Sequence, residues 1–287
     1  MAKENVEKNN AEAAMVKMEP LLSQLEYKCL GRGAALLFDY DGTLTPIVKS
    51  PELAVLSQDM RGLLKRLTKR YPVAIITGRS LADIKKLVGL KKIYYAGNHG
   101  FEISGPKIQL MSPQAEHVYP TISKLCTELK NGLGHIHGVF VEDKGLTASV
   151  HYRRVAQKEL HDLKNIFWKM AKPHVNSAKI KVTRGKKVFE IRPNIKWNKG
   201  KAIIWIIDVI DPKKELTPIY LGDDRTDEDG FLALKDRGLT VLVSERRRKS
   251  NAKFLLKNVA EVKIFLKKLI DGVNHAYTRT PRSNAVE

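Results

Sequence analysis

One stretch constrains the fold of this chain more than any other: AALLFDYDGTLT, at residues 34–45. An apolar run of strand length is followed by two carboxylates, Asp39 and Asp41, and then by a Gly-Thr pair that predicts a turn. We interpret it as a buried strand that delivers two acids to its carboxyl end, the edge at which open α/β sheets place their ligands. An isolated Asp-x-Asp pair is more often an ordinary strand end, so this interpretation depends on the rest of the chain.

Length and composition favour a soluble globular protein with two domains. The chain has 287 residues, of which 43% are hydrophobic and 29% charged, enough for two cores of ordinary size. Its first residues lack the apolar core of a signal peptide, and no apolar run is long enough to cross a bilayer. The two cysteines, Cys29 and Cys126, are too few for a disulfide framework and lack zinc-site spacing. We expect a cytoplasmic monomer without a membrane partner.

The formal net charge of +20 predicts an anionic partner, which could be nucleic acid, an acidic membrane surface or a phosphorylated small molecule. Most basic residues occur as scattered pairs that suit solvated helix faces, and only Arg246-Arg247-Arg248-Lys249 forms a run. Aromatic residues do not interleave with this run, as they would in a platform for stacked bases. We therefore expect a small phosphorylated molecule and no nucleic acid.

Strands and helices alternate at both ends of the chain. After the first strand, Ser57 is placed to cap a helix whose apolar residues from Met60 to Leu67 recur at helical spacing. A second strand ends at Thr77, and a third leads into Asn98-His99-Gly100. The alternation resumes with a helix that starts at Lys199 and a strand that ends just before the acidic cluster 223–229. This order predicts an α/β fold with a Rossmann-like, doubly wound parallel sheet.

Between about residues 107 and 193 the pattern changes to amphipathic helices and antiparallel hairpins. One hairpin, VFVEDKGLTASVHY, turns at Lys144-Gly145, and a second, KIKVTRGKKVFEI, turns at Arg184-Gly185. Helices on one face of an antiparallel sheet form a layer distinct from a parallel sheet. The predicted units are an N-terminal helical extension (1–30), a core domain (31–106 and 194–275), an inserted α+β cap domain (107–193) and a disordered tail (276–287).

Polar residues at four places suit the transfer of a phosphoryl group. Phosphoryl transfer needs a nucleophile, a proton donor, cationic and hydroxyl groups for the phosphoryl oxygens, and a divalent ion. Clustered carboxylates suit Mg²⁺, whereas Zn²⁺ would favour His or Cys ligands. The candidates are Asp39 with Asp41 at the first strand end, Thr77 at the second, Lys199 at a helix start, and Asp223 with Asp224.

These four motifs, DYDGT, the strand-end Thr77, Lys199 and GDDRTD, in this order resemble those of the haloacid dehalogenase superfamily of phosphatases. The insertion between Thr77 and Lys199 lies where that superfamily carries its larger, α+β type of cap. The resemblance implies that Asp39 attacks phosphorus and forms an aspartyl-phosphate, while Asp41 protonates the leaving oxygen and then activates water. It also implies that Thr77 and Lys199 hold the phosphoryl oxygens.

The same resemblance implies a Mg²⁺ site at the ends of the first and fourth strands. Its ligands would be Asp39, the backbone carbonyl of Asp41 and Asp223, with Asp224 close by. Asp227 could belong to this site, or it could be one of the acids that the first turn of a helix prefers.

A narrower resemblance extends from about Leu36 to Val243. The segments YDGTLTPI, YYAGNHGFEI, VEDKGLTASVHYR, GKKVFEIRP and YLGDDRTDED are similar to those of trehalose-6-phosphate phosphatases. Sugar hydroxyls suit carboxylates as acceptors and Lys or Arg as donors. The likeness implies that the cap contacts the glucose units through Glu142, Lys144, Arg184 and Glu190, and that Gly78, Arg79, Asn98, His99 and Gly100 lie near the phosphosugar.

We therefore expect a Mg²⁺-dependent phosphatase of trehalose biosynthesis that hydrolyses trehalose 6-phosphate to trehalose and phosphate. The substrate could instead be another sugar phosphate, such as sucrose 6-phosphate or mannosyl-phosphoglycerate. An alternative of another class is a basic nucleic-acid-binding protein on a phosphatase-like scaffold, which predicts salt-sensitive binding without turnover. Single residues also have simpler interpretations: Thr77 could cap the following helix, and Glu142 and Glu190 could be solvated strand-end charges.

Overall fold

The computed structural model of the protein describes residues 18–29, 33–185 and 187–277, with the backbone alone described for residues 272–277. Most of the predicted N-terminal extension and disordered tail lies outside these ranges. Residues 18–29 are helical, in agreement with the helix predicted there. None of the helices among the described residues combines the length and the apolar content that are needed to span a bilayer.

Strands and helices alternate along the described chain. The helices are α1 (residues 18–29), α2 (Gln58–Leu67), α3 (Leu81–Val88), α4 (Pro113–Leu133), α5 (Leu160–Asn176), α6 (Lys199–Ile210), α7 (Asp227–Ala233) and α8 (Val259–Tyr277). The strands are β1 (Ala34–Phe38), β2 (Val73–Ile76), β3 (Tyr94–Gly97), β4 (Glu102–Gly105), β5 (Ile108–Met111), β6 (Phe140–Asp143), β7 (Ala148–His151), β8 (Ile180–Gly185), β9 (Val188–Pro193), β10 (Thr217–Gly222), β11 (Leu239–Val243) and β12 (Phe254–Leu256).

Eight strands form the larger sheet, in the order β12-β11-β10-β1-β2-β3-β4-β5. It is parallel from β12 to β3 and antiparallel from β3 to β5. Leu36 and Phe38 of β1 belong to the hydrophobic core that includes α2 and α8, whereas Ala35 and Leu37 belong to the core that includes α6. Helices therefore cover both faces, which explains why β1 reads as a continuous apolar run and confirms the predicted doubly wound sheet.

Local sequence signals account for the starts of two helices, α2 and α6. The Oγ of Ser57 accepts a hydrogen bond from Met60 N at the start of α2, and Asn198 Oδ1 accepts one from Lys201 N at the start of α6. The second cap places Lys199 in the first turn of α6, at the carboxyl edge of the sheet. The buried residues of α2 are the predicted stripe, Met60, Leu63, Leu64 and Leu67.

The smaller sheet is antiparallel, in the order β6-β7-β9-β8, and both predicted hairpins are confirmed. Helices α4 and α5 pack on one face, where Val150, Phe189 and Ile191 join their core. Because side chains alternate along a strand, the polar residues between them, such as Glu190, point to the opposite face. That face is turned toward the carboxyl edge of the large sheet.

The large sheet includes a short segment, residues 108–111, that was predicted to belong to the insertion. Residues Ile108–Met111 form β5 at its edge, paired with β4, and the chain enters α4 only at Pro113. The α+β layer therefore begins near residue 112 rather than at 107. β4 has a single buried residue, Ile103, and β5 has none, so their hydrophobic pattern is too weak to reveal this hairpin. The division of the chain into domains remains a prediction.

Candidate active site

A cavity of about 1610 Å³ lies between the carboxyl edge of the large sheet and the polar face of the smaller one. Residues that are far apart in sequence line it together. Its wall on the large sheet contains Asp39, Asp41, Thr77, Gly78, Arg79, His99, Lys199, Asp223 and Asp224. Its opposite wall contains Glu142, Lys144, Arg184 and Glu190. The structure thus brings together every predicted site residue except Asn98 and Gly100.

Lys199 connects the two acidic segments of the large sheet. Its side chain is 3% exposed, and its ammonium donates to Asp39 Oδ1 at 2.6 Å and to Asp227 Oδ1 at 2.7 Å. Burial alone lowers the pKa of Lys199, but the carboxylates of Asp227 and Asp39 more than offset this and hold the pKa well above its ordinary value. Lys199 is therefore a permanent cation beside Asp39.

Asp227 organises the loop that follows β10. It is completely buried, and its Oδ1 accepts from Lys199 and from the hydroxyl of Tyr220. Its Oδ2 accepts from the backbone N–H of Asp223 at 2.9 Å and of Asp224 at 3.0 Å. From the sequence alone, Asp227 could be a metal ligand or one of the acids in the first turn of a helix. In the structure its carboxylate positions Lys199 and the acidic loop.

Three carboxylates form a cluster that fits a divalent cation. Ligand oxygens of Asp39, Asp223 and Asp227 all lie within 4.8 Å of one another. Burial raises the pKa of Asp39 well above its ordinary value, and the charges of Asp227 and Asp223 raise it further against the opposing effect of Lys199. A cation would relieve this excess of negative charge, and a site of oxygen atoms alone suits Mg²⁺.

Asp224 was predicted at the metal site but lies outside this cluster. Its Oδ1 accepts from the backbone N–H of Thr226 at 2.7 Å and of Asp227 at 3.2 Å. These bonds shape the turn that leads into α7. Asp224 does line the cavity, so it borders the candidate metal site and supports its geometry.

Arg79 holds the second acid of the first motif. Its Nε and Nη2 donate to Asp41 Oδ2 at 2.7 Å and Oδ1 at 2.8 Å, a bidentate pair. The same guanidinium donates to Asp83 Oδ2 at 2.7 Å and to the carbonyl of Pro51 at 2.8 Å. We expected Arg79 near the phosphate, and the structure adds that most of its donors are taken by the protein.

Thr77 and His99 are neighbours in the wall of the cavity, where the backbone N–H of His99 donates to the carbonyl of Thr77 at 2.8 Å. The Oγ1 of Thr77 accepts from Arg79 N at 3.2 Å, but the side chain that caps α3 is Ser80, not Thr77. His99 is buried with a φ of 58°, and neither ring nitrogen has a hydrogen-bond partner among the described residues. Burial, followed by the charge of Arg192, lowers the pKa of His99 well below its ordinary value, so the ring is neutral.

Asn98 and Gly100 lie behind the cavity rather than in its wall. The amide nitrogen of Asn98 donates to the backbone carbonyl of Lys144 at 2.9 Å, and its oxygen accepts from Thr147 Oγ1 at 2.6 Å. Asn98 thus joins the large sheet to the β6-β7 turn. Gly100 has a φ of +94°, and a Cβ there would lie 2.2 Å from the Cβ of Ala202. Its role in the structure is close packing on α6.

The wall on the smaller sheet carries a network of acids and bases. Glu142 accepts from His151 Nε2 at 2.8 Å and lies 3.6 Å from Lys144 Nζ. Lys144 Nζ is 3.9 Å from Glu190 Oε2, which is beyond hydrogen-bond distance. The side chains of Glu142 and Glu190 are 23% and 16% exposed, so they are not the solvated charges of the simpler interpretation.

Sequence reasoning missed Arg192 on this wall. Its Nε and the Oε2 of Glu190 are buried without a hydrogen-bond partner among the described residues. Arg192 follows Glu190 by two positions on β9, so strand alternation alone places both side chains on the same face. Buried polar atoms without partners are rare in proteins, and both of these residues line the cavity.

Gly42 gives a direct test of the carboxylate cluster. It has a φ of +90°, and a Cβ there would lie 2.3 Å from Asp223 Oδ2. We expect Gly42→Ala to displace the Asp223 carboxylate and to weaken Mn²⁺ binding, measured by EPR titration, by at least about tenfold. The control is Gly62→Ala in α2, where a Cβ would meet nothing within 4 Å. Equal affinities in the two variants would contradict the assignment of Asp223 to the cluster.

Comparison with known proteins finds the same kind of enzyme in a family model and in individual relatives. A model of the family described as trehalose-phosphatase matches residues 37–260 of the chain. Trehalose 6-phosphate phosphatase RA3 of Zea mays is 36% identical over 274 residues, which are 90% of this chain and 74% of that protein. Trehalose-phosphate phosphatase B of Arabidopsis thaliana is 36% identical over 254 residues, with 84% and 67% covered.

Solved structures show the same likeness. A trehalose-6-phosphate phosphatase related protein superimposes with a TM-score of 0.73 at 25% identity, covering 84% of this chain and all of its own. The C-terminal domain of the C. albicans trehalose-6-phosphate phosphatase gives a TM-score of 0.71 at 27% identity, covering 88% and 96%.

Proposed function

Since the chain belongs to the trehalose-phosphatase family, we propose that it hydrolyses trehalose 6-phosphate at the cavity between its two sheets. Its relatives are phosphoric monoester hydrolases of trehalose metabolism. The observation that carries the proposal is the meeting of Asp39, Thr77, Lys199 and Asp223 at one wall of the cavity. On the opposite wall, Glu190 Oε2 and Arg192 Nε are buried without a hydrogen-bond partner among the described residues. The family match favours trehalose 6-phosphate over other sugar phosphates and over a nucleic-acid ligand.

Asp39 is the nucleophile in this proposal. Its Oδ1 accepts from Lys199, while no described residue donates a hydrogen bond to its Oδ2. Attack of Oδ2 on phosphorus forms an aspartyl-phosphate and breaks the bond from phosphorus to the sugar oxygen. Lys199 and the hydroxyl of Thr77 stabilise the negative charge on the phosphoryl oxygens.

Asp41 moves the protons in both steps. It protonates the departing sugar oxygen and then accepts a proton from the water that attacks the aspartyl-phosphate, which releases phosphate and regenerates Asp39. Both oxygens of Asp41 accept from Arg79 in this structure. Arg79 therefore keeps Asp41 oriented, while each carboxylate oxygen retains a second lone pair for the proton transfer.

The site fits Mg²⁺ as the cofactor. Asp39 and Asp223 would hold the ion together with the backbone carbonyl of Asp41, and Asp227 would remain the partner of Lys199. When bound, Mg²⁺ supplies positive charge that neutralises the phosphoryl oxygens. Removal of the ion with EDTA is therefore part of the functional test.

The functional test compares phosphate release from trehalose 6-phosphate, sucrose 6-phosphate, glucose 6-phosphate and p-nitrophenyl phosphate, with Mg²⁺ or with EDTA. We expect Mg²⁺-dependent turnover with a strong preference for trehalose 6-phosphate. A preference for another sugar phosphate would agree with the proposed catalytic residues but would reject trehalose 6-phosphate as the substrate. No turnover of any ester would reject the proposed function.

Glu142 provides a test of sugar recognition by the smaller sheet. We expect Glu142→Ala to lower kcat/KM for trehalose 6-phosphate about a hundredfold, because a charged group that accepts from sugar hydroxyls is lost. Turnover of p-nitrophenyl phosphate should change by no more than about threefold, since that ester has no sugar. The control is Glu116→Ala, an exposed acid of α4. An equal loss with both substrates would reject sugar recognition by Glu142.

We also propose a cytoplasmic location and a monomeric state. Both cysteines are free thiols, as is usual in a reducing compartment. The cavity is lined by residues of this one chain, and a second copy is not needed to complete the proposed site.

A further inference from the structure

The basic run Arg246-Arg247-Arg248-Lys249 follows β11, in the loop that leads to β12. Arg248 differs from its neighbours in its contacts. Its Nη1 donates to Glu228 Oε1 at 2.9 Å, and its Nη2 donates to the backbone carbonyls of Asp223 at 3.2 Å and Asp224 at 3.0 Å. A single guanidinium thus spans from the β11-β12 loop to the acidic loop after β10.

The acidic loop is held from two sides. Asp227 binds the backbone N–H groups of Asp223 and Asp224, and Arg248 binds the carbonyls of the same two residues. Because the N–H and the carbonyl of Asp223 are both held by hydrogen bonds, the direction in which its side chain leaves the backbone is also fixed. That direction places its carboxylate in the cluster with Asp39.

Arg248 is itself anchored through Glu228 in the first turn of α7. Glu228 Oε2 accepts from the backbone N–H of Asn251 at 2.7 Å and from its side-chain amide at 3.2 Å. Glu228 therefore binds the β11-β12 loop at two points three residues apart. We call Arg248, Glu228 and Asn251 the loop clamp.

We propose that Arg248 is a positioning residue that, through the loop clamp, holds the acidic loop in the geometry that binds the divalent cation. This proposal shares one assumption with the proposed function, namely that the divalent cation binds at the cluster of Asp39 and Asp223. Replacing a residue that orients a metal ligand commonly weakens metal binding by about tenfold or more. The planar fork of arginine can serve two carbonyls and a carboxylate together, which the single ammonium of a lysine does less well.

The experiment measures Mn²⁺ affinity of the full chain by EPR titration, with no substrate present. We expect Arg248→Ala to weaken binding about tenfold and Arg248→Lys to give an intermediate loss. The matched control is Arg247→Ala, because the exposed Arg247 side chain has no hydrogen bond or ion pair with the residues described. Hydrogen exchange should be faster at the amides of residues 223 and 224 in Arg248→Ala than in the control.

Kinetics separate positioning from substrate contact. In Arg248→Ala the Mg²⁺ concentration for half-maximal activity should rise about tenfold, while kcat at saturating Mg²⁺ and KM for trehalose 6-phosphate stay within about threefold. A raised KM with normal Mn²⁺ affinity would overturn the proposal in favour of substrate contact. Equal Mn²⁺ affinity in Arg248→Ala and Arg247→Ala would overturn it outright.

A second variant, Glu228→Gln, and the Mn²⁺ titration of the wild-type chain cover two other outcomes. If Arg248→Ala does not fold, Glu228→Gln tests the same clamp, because it removes the charge that anchors Arg248, and it should weaken Mn²⁺ binding in the same direction. If the wild-type chain binds Mn²⁺ but releases no phosphate from any ester, the proposed function fails while the Mn²⁺ titrations still decide the role of Arg248.

Discussion

Asp39→Asn is expected to abolish phosphate release from trehalose 6-phosphate, with kcat at least about 10⁴-fold lower. The amide is a poor nucleophile and cannot form the aspartyl-phosphate. Its oxygen can still accept from Lys199 Nζ, which lies 2.6 Å from Oδ1, so the fold should persist. The measurement is single-turnover phosphate release, together with a thermal melt of the same sample.

The control for this variant is Asp59→Asn, which makes the same chemical change at an acid of α2 whose side chain is 84% exposed. It should retain full turnover. Turnover of Asp39→Asn that keeps both the rate constant and the substrate preference of the wild-type chain would show that the nucleophile is another group. A melting temperature far below that of the control would instead point to a structural role for Asp39.

Lys199→Met is expected to remove activity and to lower the free energy of unfolding by about 3–5 kcal/mol, because it leaves two buried carboxylates without their cation. The ammonium bridges the carboxylates of Asp39 and Asp227, whose side chains are 7% and 0% exposed. Methionine fills a similar volume, so little of the loss should come from a cavity. Urea denaturation in the presence of EDTA measures the effect without stabilisation by a bound metal.

The matched control is Lys201→Met, two residues further along α6. Its ammonium donates to the carbonyl of Lys196 at an exposed position, so its replacement should cost about 1 kcal/mol or less. Equal stability of the two variants would show that Lys199 does not neutralise the buried acids. Retained phosphatase activity in Lys199→Met would reject its proposed contact with the phosphoryl group.

Much of the local structure could be predicted because the periodicity of a segment records which side of it is buried. The continuous apolar run of β1 predicted a strand covered on both faces, and the spacing from Met60 to Leu67 predicted the buried stripe of α2. The β4-β5 hairpin was missed because β4 has a single buried residue, Ile103, and β5 has none, which leaves a weak hydrophobic pattern. Its sheet partner, β3, shows only in three dimensions.

The positions of the site residues could be predicted for a topological reason. Parallel strands end at the same edge of a sheet, so acids after β1 and β10 and a hydroxyl after β2 must lie close together. The order of the strands does not determine which of these polar side chains form hydrogen bonds with each other. Arg79 was expected near phosphate, yet the fold brings its guanidinium onto Asp41, thirty-eight residues earlier in the chain.

The sequence by itself determined the alternation of strands and helices, the edge at which the acids gather, and the chemistry that clustered carboxylates and a lysine can perform. These follow from local periodicity and residue type. Only the tertiary structure decided that Asp227 binds Lys199, that Asn98 joins the two sheets and that Arg248 holds the acidic loop. Such contacts join loops from distant parts of the chain, and their formation depends on how packed strands and helices place the loop ends.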